Sequence, residues 1–144
     1  MWYGAVLRAD EDEITIGAGC NIQDLSCVHV DGGQPAVLET RVTVGHHATV
    51  HGAHVEAGAL VGIGATVLGG ARVGARSLVA AGAVVLPGTV VPAGVLYAGV
   101  PGRVMRDLTD ADYERFEGTP ARYAERAARH RGAIWDGGRL TDGT

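Results

Sequence analysis

The sequence predicts an all-β fold, a left-handed parallel β-helix of hexapeptide repeats, followed by a C-terminal α-helix. Valines recur every six residues without interruption: Val55, Val61, Val67, Val73, Val79, Val85 and Val91. Four residues after each valine stands a small residue or another valine: Ala59, Ala65, Ala71, Ser77, Ala83, Thr89 and Val95. Neither an α-helix nor an ordinary strand has this period, so each hexad is one side of a coil. Three sides close a triangular turn of about 18 residues, with the first hexad position pointing inward.

The composition agrees with one compact domain of this kind. The chain of 144 residues carries 23 glycines, which tight corners require, and only 5% aromatic residues. A formal net charge of −4 gives no electrostatic reason to expect nucleic acid or membrane partners. Cys20 and Cys27 fall within hexads, so we interpret them as buried thiols in a reducing compartment. Without a signal peptide or an apolar run of membrane length, the simplest expectation is a soluble cytoplasmic protein.

The elements follow in order from the N-terminus. Residues 2–7 are strand-like, and residues 8–13 form a charged loop. Hexads begin at Ile16, break at the loop composition of residues 31–35, and resume at Val44. After one five-residue step to Val55 they run unbroken to Val91, and the pattern ends at Val100-Pro101-Gly102. The predicted β-helix domain therefore covers residues 1–104.

A helical segment over residues 105–132 is predicted to pack on the β-helix. Thr109 is followed by two aspartates, which is typical of a helix N-cap with an acidic first turn. Gly118-Thr119-Pro120 then breaks this helix and starts a second one that runs to about Arg131. The last residues, 133–144, are predicted to be a disordered tail.

Three of the six histidines suggest a metal site. His29 and His51 each directly follow an inward valine and lie 22 residues apart, which is one coil plus the extra loop residues. The two imidazoles are therefore expected side by side in neighbouring coils, about 4.8 Å apart. His46 belongs to the preceding hexad and hence to another face, so it can meet such a pair only in another subunit. This geometry indicates a cyclic homotrimer with metal sites between subunits.

An all-nitrogen set with an open position suits a catalytic zinc ion, and Co²⁺ or Fe²⁺ would also fit. The alternative is that histidines at outward positions are simply solvated. His47, His54 and His130 are expected to be exposed or to play supporting roles.

The ordered motifs of the chain resemble the γ-class carbonic anhydrases over residues 2–130. The motifs are Trp2-Tyr3-Gly4-Ala5-Val6-Leu7-Arg8-Ala9-Asp10, Asn21-Ile22-Gln23-Asp24, Val28-His29-Val30-Asp31, the span from Gly45-His46 to His51-Gly52, and Gly99-Val100-Pro101. The resemblance implies reversible hydration of carbon dioxide to bicarbonate at a zinc ion, in a homotrimer.

The same resemblance implies roles for individual residues. His29 and His51 match the two ligands from one subunit, and His46 matches the ligand from its neighbour. The other implied site residues are Arg8 and Asp10 as an ion pair between subunits, Gln23 as the group that hydrogen-bonds water at the metal, Asn21 and Asp24 in support, Glu11 as an assisting acid, and Tyr97 as a pocket residue.

The chain departs from the most active members of this family in one loop. Their acidic loop between the first two metal histidines carries a proton-shuttling glutamate, whereas residues 31–38 here hold only Asp31. We therefore expect carbon dioxide hydration that is limited by proton transfer. His47 or His54 could substitute as the shuttle.

Three other functions remain open from the sequence. A hexapeptide-repeat acyltransferase is suggested by the stretch from Ala81 to Val104, although such enzymes use one histidine base and would not need three. The other two are a weakly active or non-catalytic scaffold of the γ-carbonic anhydrase type, and a thioesterase.

Overall fold

A computed structural model of the protein shows three sheets wound around one core, and it describes residues 1–131, 133–136 and 139–142. The strands of the coils are β1 (Val6–Arg8), β2 (Ile14–Ile16), β3 (Asn21–Ile22), β4 (Cys27–His29), β5 (Ala36–Leu38), β6 (Thr43–Val44), β7 (Thr49–His51), β8 (His54–Val55), β9 (Leu60–Val61), β10 (Thr66–Val67), β11 (Arg72–Val73), β12 (Leu78–Val79), β13 (Val84–Val85), β14 (Val90–Val91) and β15 (Val95–Gly99). Every third strand pairs in parallel, so the chain forms stacked triangular coils. The predicted fold class is confirmed.

The inward positions form three ladders, one on each sheet. The first is Leu7, Val28, Val50, Val67 and Val85, the second Ile16, Leu38, Val55, Val73 and Val91, and the third Ile22, Val44, Val61, Val79 and Tyr97. All seven valines of the unbroken repeat are at most 1% exposed. Burial of a valine side chain contributes roughly 1.5–3 kcal/mol, so these ladders are the main source of stability.

Two irregular steps in the sequence keep the coils in register. Val28 pairs with Val50 across 22 residues, because the loop at residues 31–35 holds the excess. Val50 then pairs with Val67 across 17 residues, because the step to Val55 is one residue short. As a result, His29 and His51 are direct neighbours on β4 and β7.

The last coil is closed by an antiparallel strand, β16 (Gly102–Asp107), which pairs with β15. The predicted boundary at residue 105 falls inside this strand, so the helical segment begins later than predicted. Because the chain reverses after Gly99, β16 covers the edge that the third sheet would otherwise expose.

Two helices follow, α1 (Asp110–Phe116) and α2 (Thr119–Arg131). Thr109 caps α1 in a capping box with Asp112, as the sequence indicated. Arg106 and the Thr109 cap hold the pKa of Asp112 well below its usual range. α2 lies along the third sheet against β3, where the Trp2 and Tyr123 rings meet edge to face at 5.2 Å.

Part of the predicted disordered tail is paired instead. Residues 133–136 form β17 (Ala133–Asp136) and residues 139–142 form β18 (Arg139–Asp142), an antiparallel pair. Two short β-prone runs on either side of Gly137-Gly138 are typical of a hairpin sequence. The rest of the tail, at residues 137, 138, 143 and 144, lies outside the described residues. Neither helix in the described part of the chain has the length and apolar character needed to cross a membrane.

Candidate metal centre

The first group of site residues surrounds His29 and His51 on the first sheet, and we call it the paired-histidine half-site. Strand register places the two imidazoles in a stack, with ring centroids 4.9 Å apart and planes 8° apart. Both side chains point outward and are largely covered, with 15% of the His29 side chain and 28% of the His51 side chain exposed. The predicted side-by-side arrangement follows directly from the hexad spacing.

Carboxylates face the Nε2 atoms of both rings. Asp10 Oδ1 lies 3.2 Å from His29 Nε2, and Asp31 Oδ1 lies 3.2 Å from His51 Nε2. Asp10 also forms an ion pair with Arg8. Desolvation acts to raise the pKa of Asp10, but its backbone hydrogen bond and the contacts with Arg8 and His29 outweigh this and lower it. The ion pair that the resemblance assigned to two subunits thus forms within one chain in this structure.

Glycine is required directly beside the second histidine. Gly52 follows His51, has φ of +52°, and leaves no room for a side chain because a Cβ would lie 2.9 Å from the Gln34 carbonyl oxygen. The corner at Gly52 therefore sets where β7 ends and which way His51 points.

The second group surrounds His46 at the corner before β7, and we call it the His46 half-site. Asp24 accepts from His46 Nδ1 at 3.0 Å, and the Tyr123 hydroxyl lies 3.1 Å from His46 Nε2. In the neutral form of this imidazole, the contact with a carboxylate favours the proton on Nδ1, which leaves the Nε2 lone pair as an acceptor. This is the tautomer that can bind a metal through Nε2.

A buried polar chain supports the His46 half-site under helix α2. Gln23 Nε2 donates to Asn21 Oδ1 at 3.1 Å, and Asn21 Nδ2 donates to Thr43 Oγ1 at 2.8 Å. All three residues are at most 5% exposed. Because both amides are held by these bonds, the orientation of Gln23 is fixed before any ligand arrives.

The structure thus divides the sequence-predicted site residues into two groups. Arg8, Asp10, His29 and His51 share the first, with Glu11 nearby through its hydrogen bond to Gly32, and Asn21, Gln23, Asp24 and His46 share the second. Among the described residues, the group that could hold a metal ion is His29, Asp31 and His51, and His46 is not part of it.

Tyr97 does not line either half-site, which corrects the sequence-based expectation. It is 4% exposed at the inward end of the third ladder, and its hydroxyl donates to the Gly102 carbonyl at 2.7 Å. The reason is its position in the hexad register, since Tyr97 pairs with the inward Val79.

The remaining histidines and the cysteines have ordinary structural roles. His47 is exposed at a corner, His54 pairs with Glu39 at 2.7 Å, and His130 packs on Trp2 with ring centroids 5.4 Å apart. The His54 contact and a hydrogen bond from the Ala57 amide lower the pKa of Glu39. Both cysteines are free and half-buried, and burial raises the pKa of Cys20.

Sequence reasoning missed two residues that contact the histidines. Asp31 was noted only as the lone acid of its loop, although its carboxylate reaches His51. Tyr123 could not be assigned to the site from the sequence, because its contact with His46 depends on how α2 docks. No local sequence signal reports that docking.

The donor chemistry fits a divalent metal ion. Two imidazoles stack within reach of one another, and a third is held in the tautomer whose Nε2 accepts. Neutral imidazole nitrogen suits zinc and its neighbours among the divalent transition metals.

Two curated relatives identify the class of protein. The chain is 50% identical over 125 residues to a protein of Methanocaldococcus jannaschii named a probable carbonic anhydrase, covering 87% of this chain and 79% of that protein. It is 39% identical over 136 residues to the mitochondrial gamma carbonic anhydrase 1 of Arabidopsis thaliana, covering 90% of this chain. The chain spans 50% of the length of the Arabidopsis protein.

A solved structure and the family search complete the comparison. A hexapeptide transferase family protein from Anaplasma phagocytophilum superposes with a TM-score of 0.84 at 34% identity, over 88% of this chain and 75% of that one. No protein-family model matches the chain. The fold and site define a hexapeptide-repeat β-helix protein with a histidine-based candidate metal centre. Within that class, the chain belongs to the γ-class carbonic anhydrase family.

Proposed function

We propose that this chain is a metal-dependent hydro-lyase that hydrates carbon dioxide reversibly to bicarbonate, with zinc as the metal. The observation that carries the proposal is the register of β4 and β7, which stacks His29 on His51 at 4.9 Å between centroids. The names of the relatives support the substrate. The free cysteines support the cytoplasm as the compartment.

The proposed assembly is a homotrimer in which the His46 half-site of one subunit meets the paired-histidine half-site of the next. Each chain carries one copy of each half-site, and they lie on different faces of its prism. A closed ring of identical chains can join every half-site to a complementary one, whereas a single chain cannot. Three faces make a three-membered ring the simplest closed arrangement.

In this proposal the chain's own side chains bind the metal ion and orient a water molecule beside it. When bound, the metal supplies a Lewis acid that makes hydroxide available from water near neutral pH. His29 and His51 would hold it from one side and His46 from the other, with Asp24 keeping His46 in the required tautomer. Gln23, fixed by Asn21, presents its amide oxygen as an acceptor that can orient water towards carbon dioxide.

Turnover also requires that one proton leave the site for each bicarbonate formed. The short loop at residues 31–35 carries no glutamate, and His54 is already paired with Glu39. His47 is exposed and remains the better candidate of the two histidines for a shuttle. We therefore propose that proton transfer limits kcat.

Metal analysis of freshly purified protein together with a carbon dioxide hydration assay tests the proposal. We expect about one metal ion per chain in a trimer, and activity that disappears on chelation and returns with Zn²⁺ or Co²⁺. Added imidazole buffer should raise kcat several-fold and leave kcat/KM unchanged, since proton release follows substrate capture. Metal-loaded protein without activity in excess buffer would overturn the carbon dioxide assignment.

The second candidate function is acyl transfer, since the Anaplasma protein is described as a hexapeptide transferase. Against it stand the two imidazoles stacked on one another rather than one free histidine base. A scaffold without activity, or a thioesterase, would share the metal site, and the hydration assay separates these from the main proposal.

A further inference from the structure

Helix α2 brings positive charge to a molecule that is acidic as a whole. The helix carries four arginines and one glutamate, whereas the chain has a formal net charge of −4. Arg122, Arg126 and Arg129 follow one another at spacings of four and three residues, so they lie along one face of the helix, and all three are exposed. We call these three residues the arginine row.

Two members of the arginine row have no acidic partner. Arg122 donates two hydrogen bonds within its own chain. Among the described residues, no carboxylate forms an ion pair with Arg126 or Arg129. The guanidinium of Arg126 lies over the Tyr123 ring, 5.3 Å from its centroid. Because Tyr123 in turn contacts His46, the arginine row flanks the His46 half-site.

A run of acidic residues lies beside the other half-site. Residues 10–13, which we call the acidic loop, alternate aspartate and glutamate between β1 and β2. The first of them, Asp10, belongs to the paired-histidine half-site, and Asp10 and Glu11 both have partners within the chain. In the part of the chain that the structure describes, Asp12 and Glu13 form no ion pair with an arginine or histidine. Their negative charges are therefore available to a group outside the chain.

The arginine row and the acidic loop lie at the same level of the stacked coils. His46 stands at the corner before β7, the strand that carries His51, so a ring that joins the two half-sites keeps equivalent coils level with one another. Trp2 and the acidic loop belong to the first coil, before and after β1. His130, near the end of α2, packs on Trp2. The C-terminal part of α2 is therefore level with the acidic loop of the next subunit in such a ring.

We propose, building on the homotrimer proposed above, that the arginine row is an interaction surface for a second copy of this chain. Arg126 and Arg129 of one subunit face Asp12 and Glu13 in the acidic loop of the next. In a closed ring every arginine row meets an acidic loop, so the contact pairs charges that a single chain leaves unpaired. Opposite charges at the rim of an interface steer association and disfavour wrong orientations.

Charge reversal on each side of the interface tests this contact. The row variant carries Arg126→Glu with Arg129→Glu, and the loop variant carries Asp12→Arg with Glu13→Arg. The swapped variant carries all four changes, which restores the net charge of the wild type. Sedimentation velocity in excess Zn²⁺, over a range of protein concentrations, measures the fraction of trimer, and circular dichroism checks that each variant keeps the β-helix.

The matched control is Arg103→Glu combined with Arg115→Glu. Both arginines are exposed and lie outside the arginine row, on β16 and α1. The control therefore changes the net charge as much as the row variant does, without touching the proposed contact. Its assembly should equal that of the wild type.

We expect the row variant and the loop variant each to need a protein concentration at least about 10-fold higher for half-maximal trimer, because like charges then face each other. The swapped variant should return to within about threefold of the wild type. Mixed with the wild type, it should form separate trimers, because a mixed interface places like charges together. Added salt should weaken the wild-type trimer and strengthen that of the row variant.

The contrary results are distinguishable. If the row variant assembles like the control, or if the swapped variant assembles no better than the row variant, the contact is wrong and the homotrimer stands without it. If the row variant loses its β-helix, a loop variant that assembles like the wild type overturns the contact equally. If the wild type in excess Zn²⁺ stays monomeric at every concentration, the proposed assembly fails first, and this proposal falls with it.

Discussion

The two half-sites of this molecule are built in different ways. In the paired-histidine half-site, backbone register alone puts His29 beside His51, because both follow inward valines on adjacent parallel strands. In the His46 half-site, side chains from two separate parts of the chain contact one imidazole, with Asp24 on Nδ1 and Tyr123 on Nε2. The first half-site is a product of the repeat, and the second depends on how helix α2 packs.

From this difference we expect the paired-histidine half-site to contribute most of the metal affinity and the His46 half-site to adjust it. The paired-histidine half-site supplies two of the three proposed histidine ligands, each facing a carboxylate. The His46 half-site offers one imidazole, held in a single tautomer by a network of buried hydrogen bonds. We therefore expect losses in the first half-site to be larger than losses in the second.

The largest effect should come from removing a histidine of the stacked pair. His29→Ala or His51→Ala should lower Zn²⁺ affinity more than 100-fold, beyond the roughly 10–100-fold typical of losing a group that only supports a ligand. His46→Ala should lose less, about 10–100-fold, because both stacked histidines of the neighbouring chain remain. Equilibrium dialysis with metal analysis measures all three.

His130→Ala serves as the control for these variants, because His130 packs on Trp2 rather than on either half-site. Its metal affinity should equal that of the wild type. Equal losses of Zn²⁺ affinity in His46→Ala and His29→Ala would show that the two half-sites contribute equally to metal binding, and would contradict the expected difference between them.

An intermediate effect should follow from Asp24→Asn in the His46 half-site. The asparagine amide oxygen can still accept from Nδ1 of His46, but without the negative charge this hydrogen bond is weaker and Nε2 is a poorer ligand. Zn²⁺ affinity should fall by about 10-fold, the lower end of the range for groups that orient a metal ligand. Asp107→Asn is the matched control, and an unchanged affinity for Asp24→Asn would refute the orienting role.

The smallest effect should come from Tyr123→Phe. The tyrosine hydroxyl lies 3.1 Å from His46 Nε2 and competes with a metal for its lone pair. A hydrogen bond of this kind contributes about 0.5–1.5 kcal/mol, so its loss should raise metal affinity about two- to tenfold. Tyr113→Phe is the control, because Tyr113 lies on α1 and its ring contacts Arg76 rather than His46. A lower affinity in Tyr123→Phe would mean that the hydroxyl supports the bound state instead.

The contrast also explains what could be predicted from the sequence. Register follows from counting, so the coils, the buried valines and the contact between His29 and His51 were all predictable from hexad spacing. The loop excess at residues 31–35 was predictable by the same count, but not the direction of the Asp31 side chain. That direction depends on Gln34 packing over Gly52 and Gly69, a contact between coils far apart in sequence.

Errors occurred where the repeat ends. Beyond Val91 the hexad rule no longer applies, so β16 was taken as the start of the helical segment, and Tyr97 as a pocket residue. The hairpin of β17 and β18 was missed because its strands are short and follow a polar helix. The Tyr123 contact with His46 was missed because helix docking is set by tertiary packing rather than by local pattern.

The most direct test of the central claim, that one metal centre needs half-sites from two chains, is complementation between His29→Ala and His46→Ala chains. We expect each variant to be inactive alone, because His29→Ala lacks the paired-histidine half-site and His46→Ala lacks the His46 half-site. After equal mixing and full subunit exchange, about one quarter of the interfaces should join an intact paired-histidine half-site to an intact His46 half-site. Carbon dioxide hydration and metal retained at a free concentration too low for either parent should both return to about a quarter of wild type. If differently tagged chains demonstrably exchange and neither signal returns, the two half-sites do not share a metal, and the account is wrong.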